Sequence, residues 1–221
     1  MTETGEQKAA LRRRMKMLLA ETEHPAGSPD PESPLFSAIT GCASVFSFAS
    51  VNGEPDTAVI AAFALAQGKT LLLPRINGRN LDFLPWNGRP DTLQKNRFGI
   101  PEPTGGGVCF PAAHGTPQNI RFPALVLVPG AAFSRRGERL GRGGGYYDRF
   151  LADFARAFPA ETFPWKAAGY CFAEQIVGTL PVEAHDRRMD CLFLPDGSMI
   201  ETENSSTARS SNFYGRNPFG D

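Results

Sequence analysis

The residues most able to do chemistry lie in one stretch, residues 139–150, with the sequence RLGRGGGYYDRF. It follows an apolar segment typical of a buried strand, residues 124–128, and leads into apolar residues at helical spacing. A glycine loop between a strand and a helix gathers backbone N–H groups at a helix N-terminus, where the helix dipole also favours anions. Arg139, Arg142 and Arg149 add positive charge. The stretch therefore predicts a phosphate-binding loop followed by a helix over residues 146–157.

A flexible surface loop is the alternative interpretation of these glycines. Glycine-rich linkers usually carry serine and few aromatic residues, whereas this loop runs directly into Tyr146, Tyr147 and an amphipathic helix. The pattern is not a Walker loop, because no Gly-Lys-Ser/Thr closes it. It is not a dinucleotide fingerprint either, because the third glycine would fall at Tyr146. The sequence therefore favours a phosphate site outside these two classes.

Asp148 indicates a metal ion beside that phosphate. An isolated aspartate in the first turn of a helix only opposes the helix dipole, which is worth under about 1 kcal/mol. A bare carboxylate beside a triphosphate would repel the ligand, unless a hard cation such as Mg²⁺ bridges the two. A second carboxylate is then expected from elsewhere in the chain, and Asp186 and Asp190 are the candidates.

Length and composition favour an ordinary cytoplasmic protein with one main domain. The 221 residues are 41% hydrophobic and 21% charged, and Lys plus Arg equals Asp plus Glu at 23 each. A net charge of zero excludes a broad nucleic-acid or membrane footprint. The four cysteines form no Cys-x-x-Cys pair, so neither a zinc site nor a disulfide framework is expected. We expect a single domain over residues 1–200 and a disordered tail over residues 201–221.

The order of elements predicts an α/β fold, a three-layer sandwich with a largely parallel sheet and helices on both faces. Helices are expected over residues 4–21, 58–66 and 146–157, and strands over residues 42–48, 70–73, 124–128, 166–172 and 191–194. Residues 101–123 are dense in proline and glycine and are expected to cross the surface. Ligands in such folds bind beyond the carboxyl ends of the strands. Residues 49–54, residues 74–75 and the glycine loop all fall there.

The long motif resembles the signature of the 5-formyltetrahydrofolate cyclo-ligase family, also called 5,10-methenyltetrahydrofolate synthetase. In that pattern a strand, Pro-Gly, an apolar pair and Phe precede Gly-x-Arg-Leu-Gly-x-Gly-Lys-Gly-Tyr-Tyr-Asp. The chain matches it in register at Pro129, Gly130, Phe133, Gly137, Arg139, Leu140, Gly141, Gly143, Gly145, Tyr146, Tyr147 and Asp148. Weaker matches follow the family order at residues 8–12, 54–57, 73–75 and 99–103, and at Pro181 with Asp186.

The resemblance implies an enzyme that uses ATP and Mg²⁺ to convert 5-formyltetrahydrofolate to 5,10-methenyltetrahydrofolate, releasing ADP and phosphate. It implies catalytic roles for Arg142, Tyr146 and Asp148, and metal binding by Asp148 and Asp186. It implies ATP binding by Lys8, Arg12, Arg139, Leu140, Gly141, Arg142, Gly143, Gly144, Gly145, Tyr146 and Tyr147. It implies folate binding by Ala49, Glu54, Arg142, Gly143, Gly144, Gly145 and Tyr146.

Two of these assignments depend on the resemblance rather than on the residues themselves. Lys8 and Arg12 share one face of the first helix, which by itself would indicate a solvated basic face. In the family, a lysine and an arginine at this spacing contact ATP phosphates. Glu54 by itself would be a loop acid, whereas the family places a glutamate against two N–H donors of the pterin.

The chain departs from the family pattern at position 144, where glycine replaces a lysine. The change removes a point charge expected near the transferred phosphate, and Arg142 and Lys8 are the candidates to compensate. Two alternatives therefore stay open. One is a non-catalytic folate- or nucleotide-binding protein, and the other is a sugar-phosphate isomerase or CoA-transferase-like enzyme that acts without ATP. No nucleic-acid or membrane partner is expected, and a monomer is the working expectation.

Overall fold

The computed structural model describes residues 3–22, 29–51, 53–105, 107, 109–110, 120–181 and 187–203. The helices are α1 (Glu3–Glu21), α2 (Pro34–Thr40), α3 (Ala58–Ala66) and α4 (Tyr146–Ala157). The strands are β1 (Ser44–Phe46), β2 (Thr70–Asn77), β3 (Asn80–Pro85), β4 (Leu93–Lys95), β5 (Pro101–Pro103), β6 (Ala124–Val128), β7 (Ala132–Ser134), β8 (Arg139–Leu140), β9 (Trp165–Tyr170), β10 (Ile176–Val177), β11 (Cys191–Phe193) and β12 (Met199–Glu201).

The central sheet has seven strands in the order β12-β11-β9-β6-β1-β2-β3. The five inner strands are parallel to one another, and only the edge strands β3 and β12 are antiparallel to their neighbours. A small three-stranded sheet, β10-β7-β8, and the β4-β5 hairpin complete the described strands. The predicted α/β class with a largely parallel sheet is therefore confirmed.

The central sheet is covered by helices on both faces. On one face, Phe46 and Val126 pack in a cluster with Phe154 of α4. On the other face, Val45 and Leu125 pack in a second cluster with side chains of α2 and α3. Neighbouring residues of a strand point to opposite faces, so each inner strand contributes apolar side chains to both clusters. This arrangement is the predicted three-layer sandwich.

Aromatic side chains fix α4 on its face of the sheet. Phe154 is fully buried, and its ring centroid lies 5.1 Å from Phe46, 5.1 Å from Phe110 and 4.9 Å from Trp165. Edge-to-face pairs of this kind add to the free energy gained from burying the rings. Because α4 begins directly after the glycine loop, this packing also fixes the loop relative to the sheet.

The structure contains a hairpin that the sequence analysis did not identify. A short strand was expected over residues 70–73, whereas β2 runs to Asn77 and pairs antiparallel with β3. Gly78 and Arg79 form the turn, and the positive φ of Gly78, 59°, suits the first position of a two-residue II′ turn. Gly78, between two largely apolar segments, is the sequence signal from which this hairpin could have been predicted.

Other boundaries also differ from expectation. The strand expected over residues 42–48 is confined to β1, and the residues on either side of it have no regular secondary structure. Within the expected surface connection 101–123, residues 101–103 form β5 and Phe110 forms a bridge with Phe83. Glu201, the first residue of the expected tail, belongs to β12. Residues 204–221 lie outside the described part of the chain.

All four cysteines are unpaired and buried, as expected for small apolar core residues. Among the described residues, no helix combines the length and the apolar character that a membrane crossing requires.

Replacing Phe154 by alanine should remove the centre of the aromatic packing under α4. We expect the free energy of unfolding to fall by about 3–5 kcal/mol, the usual cost of truncating a buried phenylalanine. Denaturant titration followed by circular dichroism measures this change. Met17→Ala is the control, because Met17 is 64% exposed and its truncation should change stability by under about 0.5 kcal/mol. Equal effects of the two substitutions would contradict this account of the core.

Candidate active site

A cavity of about 460 Å³ opens at the carboxyl ends of β1, β2 and β6. This is the sheet edge at which the sequence predicted a site. Ten of the residues proposed from the sequence lie in its wall: Ala49, Glu54, Arg139, Gly141, Arg142, Gly144, Gly145, Tyr146, Tyr147 and Asp148. Apolar side chains such as Phe48, Val51 and Ile76 form much of the remaining wall. The combination of an apolar wall with a few charged groups is typical of a small-molecule site.

The glycine loop connects β8 to the N-terminus of α4 and forms one side of the cavity. Gly145 precedes the helix with φ 65°, and Gly143 has φ 109°, so both adopt backbone conformations that favour glycine. Among the described residues, no side chain caps the N-terminus of α4. The first N–H groups of the helix therefore have no side-chain acceptor, which suits an anionic ligand.

Helix α1 reaches this loop through Arg12. The Arg12 Nε donates a hydrogen bond of 2.8 Å to the carbonyl oxygen of Gly141. Met15, one turn further along, is buried against Leu140 and Ala132, which holds the helix beside β7 and β8. Lys8 lies one turn before Arg12 on the same face and is half-buried. The structure thus brings Arg12 of the predicted basic pair to the loop, and neither Arg12 nor Lys8 lines the cavity.

An ion pair joins the glycine loop to the opposite side of the cavity. The Nε of Arg142 lies 3.0 Å from Oε1 of Glu54, and its Nη2 donates a hydrogen bond of 3.3 Å to the Gly53 carbonyl oxygen. The Glu54 side chain is only 7% exposed, whereas that of Arg142 is 48% exposed. The other Glu54 oxygen accepts a hydrogen bond from the Val51 N–H at 3.1 Å. Glu54 is therefore a buried carboxylate whose cationic partner can move into solvent.

Burial raises the pKa of the Glu54 carboxyl above its ordinary value. The Arg142 guanidinium and the Val51 N–H act in the opposite direction and offset only part of this effect. In the absence of a ligand, the ionised form of Glu54 is therefore destabilised by its burial. A ligand that donates hydrogen bonds to this carboxylate would relieve that cost.

A second ion pair lies beneath the loop. Arg139 Nη2 bonds to Oδ1 of Asp148, and Arg139 Nη1 donates a hydrogen bond of 3.0 Å to the Pro129 carbonyl oxygen. The Arg139 side chain is 4% exposed. Arg139 therefore neutralises and orients Asp148 in this structure, whereas the sequence had suggested that it contacts phosphate. Within the described residues, Oδ2 of Asp148 accepts no hydrogen bond.

The two tyrosines of the motif have different surroundings. Tyr147 packs edge-on against Phe83 and Phe150, and its buried hydroxyl has no hydrogen-bond partner among the described residues. Burial and the nearby Glu54 both raise the pKa of the Tyr147 hydroxyl, so it remains a neutral donor. Tyr146 lies against the loop glycines and the Arg149 guanidinium. Tyr147 lines the cavity, and an unpaired buried hydroxyl is a group that a ligand can satisfy.

Two proposed ATP-binding residues do not line the cavity. The Leu140 side chain is buried with Met15 and Ala132, so it anchors β8. Gly143 is exposed at the tip of the loop, close to Arg12.

Two hairpins contribute cavity residues that sequence reasoning missed. The β2-β3 hairpin supplies Ile76 and Leu81, and the β4-β5 hairpin supplies Phe98, Ile100 and Glu102. Oε1 of Glu102 accepts hydrogen bonds from the Ile76 N–H at 2.9 Å and the Asn96 amide at 2.7 Å. Glu102 therefore ties the two hairpins together. The sequence signals for this wall were Gly78 in the first hairpin and the weak family match over residues 99–103 in the second.

Of the predicted metal ligands that the structure describes, Asp148 is the one that lines the cavity. Asp186 lies outside the described residues. Asp190 does not line the cavity, and its Oδ2 accepts a hydrogen bond from the Ala167 N–H at 2.8 Å. In the described part of the chain, no group of three or more His, Cys, Asp and Glu could hold a metal ion. One free carboxylate oxygen beside a phosphate loop nevertheless fits Mg²⁺, which takes one or two carboxylates, substrate phosphates and water.

Comparison with known proteins assigns the chain to a family. The sequence profile of the 5-formyltetrahydrofolate cyclo-ligase family matches residues 4–195. The chain belongs to this family. The match spans α1, the central sheet as far as β11, and every cavity residue described above, so the resemblance noted from the glycine motif is confirmed.

Individual relatives agree with the family assignment. A probable 5-formyltetrahydrofolate cyclo-ligase from Caenorhabditis elegans is 33% identical over 148 residues, covering 65% of this chain and 68% of that protein. The 5-formyltetrahydrofolate cyclo-ligase of Mus musculus is 31% identical over 153 residues, covering 67% and 71%. That of Escherichia coli K12 is 31% identical over 151 residues, covering 67% and 75%.

A solved structure has the same fold. The NMR structure of Aquifex aeolicus 5,10-methenyltetrahydrofolate synthetase superimposes with a TM-score of 0.62, over 89% of this chain and 93% of that one. Its sequence identity is 24%, so this likeness establishes the fold alone.

Replacing Glu54 by glutamine should stabilise the ligand-free protein at neutral pH. Because burial raises the Glu54 pKa in the folded state, protonation of Glu54 favours folding. That contribution is complete below the unfolded pKa and is lost as the pH rises through the folded pKa. We therefore expect the variant to melt at a higher temperature than the wild type at about pH 7.5, and the difference to shrink towards about pH 4.

Thermal unfolding of both proteins across this pH range measures the effect. Glu161→Gln is the control, because Glu161 is exposed and its substitution should leave the melting temperature unchanged at every pH. A lower melting temperature for Glu54→Gln at neutral pH would contradict the proposed cost of burying the ionised carboxylate.

Proposed function

We propose that this protein catalyses the ATP- and Mg²⁺-dependent cyclisation of 5-formyltetrahydrofolate to 5,10-methenyltetrahydrofolate, with release of ADP and phosphate. The observation that supports it best is a single cavity that contains both the Glu54 carboxylate and the glycine loop, joined by Arg142. Family membership supplies the reaction, and the cavity supplies a place for both substrates.

The reaction needs activation of a poor leaving group. The formyl oxygen on N5 of the folate attacks the terminal phosphoryl group of ATP, so that a P–O bond forms and ADP leaves. N10 then attacks the formyl carbon and loses its proton, and the C–O bond breaks to release phosphate. Such chemistry depends on positioning and charge neutralisation rather than on a protein nucleophile. Consistent with this, the cavity wall contains no serine, cysteine or histidine among the described residues.

Glu54 is suited to bind the pterin end of the folate. The aminopyrimidine ring presents neighbouring N–H donors, and a carboxylate can accept two of them side by side. Because Glu54 is buried and its ionised form is strained, these hydrogen bonds would be stronger than in water. Ala49 and the Tyr146 ring provide apolar surface in the same cavity for the flat ring system.

The part of the cavity that would bind the ATP phosphates consists of backbone N–H groups and arginine side chains. The uncapped N-terminus of α4 faces the cavity at Gly144 and Gly145, and Arg12 is held against the loop by its bond to Gly141. Arg142 links the two ends, because once the pterin pairs with Glu54 its exposed guanidinium can turn to the phosphate. In this role Arg142 neutralises the phosphoryl group during transfer.

Asp148, oriented by Arg139, is the residue that would hold Mg²⁺, together with Asp186 if residues outside the described part follow the family pattern. A bound Mg²⁺ ion would neutralise charge on the terminal phosphates. The Asp148 side chain is positioned for this at the first turn of α4, directly below the loop.

The alternatives differ from this proposal in ways that can be tested. An isomerase or CoA-transferase-like enzyme would act without ATP, and the family comparisons name neither. A non-catalytic binding protein would result if the glycine at position 144 had abolished turnover. We further propose that the enzyme works as a cytoplasmic monomer, in line with its balanced charge and unpaired cysteines.

The decisive experiment mixes the purified protein with ATP, Mg²⁺ and 5-formyltetrahydrofolate and follows the absorbance of the methenyl product. The proposal predicts product formation that requires both ATP and Mg²⁺, with one ADP released per methenyl group. Binding of both ligands without product would favour the non-catalytic alternative.

Asp148→Asn should reduce turnover by more than about a hundredfold, because one Mg²⁺-binding carboxylate is lost. The residual activity should need a higher Mg²⁺ concentration for half-maximal rate, a shift that damage to the fold would not produce. Asp153→Asn, on the same helix and paired with the exposed Arg156, is the matched control and should behave as wild type. Wild-type activity at wild-type Mg²⁺ in Asp148→Asn would remove the proposed metal role.

Arg12→Ala should raise the KM for ATP by about ten- to a hundredfold, because a charge-assisted hydrogen bond contributes about 1.5–3 kcal/mol. Initial rates at varied ATP and saturating folate measure the effect. Arg13→Ala, an exposed neighbour on α1, removes the same charge from the helix and should leave the KM unchanged. An unchanged KM in Arg12→Ala would reassign this residue to a structural role at Gly141.

A further inference from the structure

Arg149, in the first turns of α4, holds the glycine loop against the β2-β3 hairpin. Its Nε donates a hydrogen bond of 2.8 Å to the carbonyl oxygen of Arg79, in the hairpin turn. Its Nη2 donates to the same oxygen and, at 2.9 Å, to the carbonyl oxygen of Gly144. One guanidinium thus connects two walls of the cavity through backbone groups that no substitution can remove.

This contact orients a peptide of the loop. In a trans peptide the C=O and the following N–H point in opposite directions. Because Arg149 draws the Gly144 carbonyl towards itself, the N–H of Gly145 points to the other side. Gly144 and Gly145 line the cavity, whereas Arg149 does not. The arrangement is therefore consistent with an N–H of Gly145 that is available to a ligand in the cavity.

The space around the loop glycines is filled by Arg149 and Tyr146. A Cβ at position 145 would lie 2.6 Å from Nη1 of Arg149, and a Cβ at position 144 would lie 2.7 Å from the Tyr146 ring. The Arg149 guanidinium lies 5.4 Å from the centre of that ring. Arg149 and the Tyr146 ring thus occupy the space that side chains at positions 144 and 145 would need.

The charge of Arg149 is not neutralised by the part of the chain that the structure describes. Arg139 pairs with Asp148 and Arg142 pairs with Glu54, but the described partners of Arg149 are carbonyl oxygens and an aromatic ring. Nη1 donates no hydrogen bond to a described residue. A fixed cation without a carboxylate, at the uncapped N-terminus of a helix, attracts anions.

We propose that Arg149 is a phosphate-positioning residue of this enzyme. It orients the Gly144–Gly145 peptide and supplies, from α4, the positive charge that a lysine at position 144 supplies in the family pattern. This inference rests on the proposed function, because it assigns a role within the same ATP site. It also explains how glycine is accommodated at position 144, since Arg149 and Tyr146 take the space of the missing side chain.

Four variants test the proposal: Arg149→Met, Arg149→Lys, the double variant Gly144→Lys with Arg149→Met, and the control Arg156→Met. Arg156 lies on the same helix and is 78% exposed, so its substitution should have no effect. We expect Arg149→Met to raise the KM for ATP at least tenfold and to lower kcat. Arg149→Lys keeps the charge but loses the planar fork that binds both carbonyl oxygens, so its KM for ATP should rise less than that of Arg149→Met. In the double variant the Tyr146 ring is no longer held by Arg149 and can move away from a side chain at position 144. The new lysine should then restore most of the ATP affinity and turnover that Arg149→Met removes.

ATP dependence of methenyl formation is the readout, with ATP binding by calorimetry and thermal unfolding measured on the same proteins. An unchanged KM in Arg149→Met, or equal impairment in Arg149→Lys and Arg149→Met, would overturn the proposed charge. A folded double variant that recovers nothing would do the same. Wild-type turnover establishes the proposed function whatever Arg149 does. If wild type bound ATP without turnover, the calorimetric series would still test Arg149.

Discussion

The ion pair between Glu54 and Arg142 is the interaction on which the site depends. It connects the segment after β1 to the glycine loop, and so brings a folate-binding carboxylate and a phosphate-binding backbone into one cavity. Burial raises the pKa of Glu54, and the Arg142 guanidinium opposes this and favours the ionised form, which can accept two N–H donors. The pair is also asymmetric, because Glu54 is enclosed and Arg142 is half exposed. A ligand can therefore replace the arginine without unfolding the wall.

The glycine loop is held rigid from several directions, which suits a reaction that needs positioning more than a nucleophile. Arg12 binds the carbonyl of Gly141 from α1, and Arg149 binds the carbonyl of Gly144 from α4. Below the loop, the buried Arg139 fixes Asp148. The aromatic residues of α4 then anchor the whole assembly on the sheet. Each of these contacts restricts the motion of a loop carbonyl or of the Asp148 carboxylate. The backbone N–H groups of the loop therefore stay arranged for an anion.

Much of this arrangement could be predicted from the sequence, because it is local. The loop, α4, the parallel strands and the sheet edge at which Glu54 meets the loop all follow from hydrophobic periodicity, glycine spacing and the family motif. The partners of individual charges could not be predicted in this way. From its position in the glycine motif, Arg139 would be expected to bind phosphate. The structure shows instead that Arg139 is buried and paired with Asp148. The wall that carries Phe98 and Glu102 was missed because it is made of short hairpins with weak periodicity.

The central claim is that folate and the terminal phosphate of ATP meet in this one cavity. A crystal structure with 5-formyltetrahydrofolate and a non-hydrolysable ATP analogue tests it most directly. The account predicts the aminopyrimidine ring at Glu54 and the terminal phosphate at the Gly141–Gly145 loop, with the formyl oxygen and the phosphorus within about 3–3.5 Å. A nucleotide bound elsewhere on the chain, or a phosphate directed away from the folate, would contradict it.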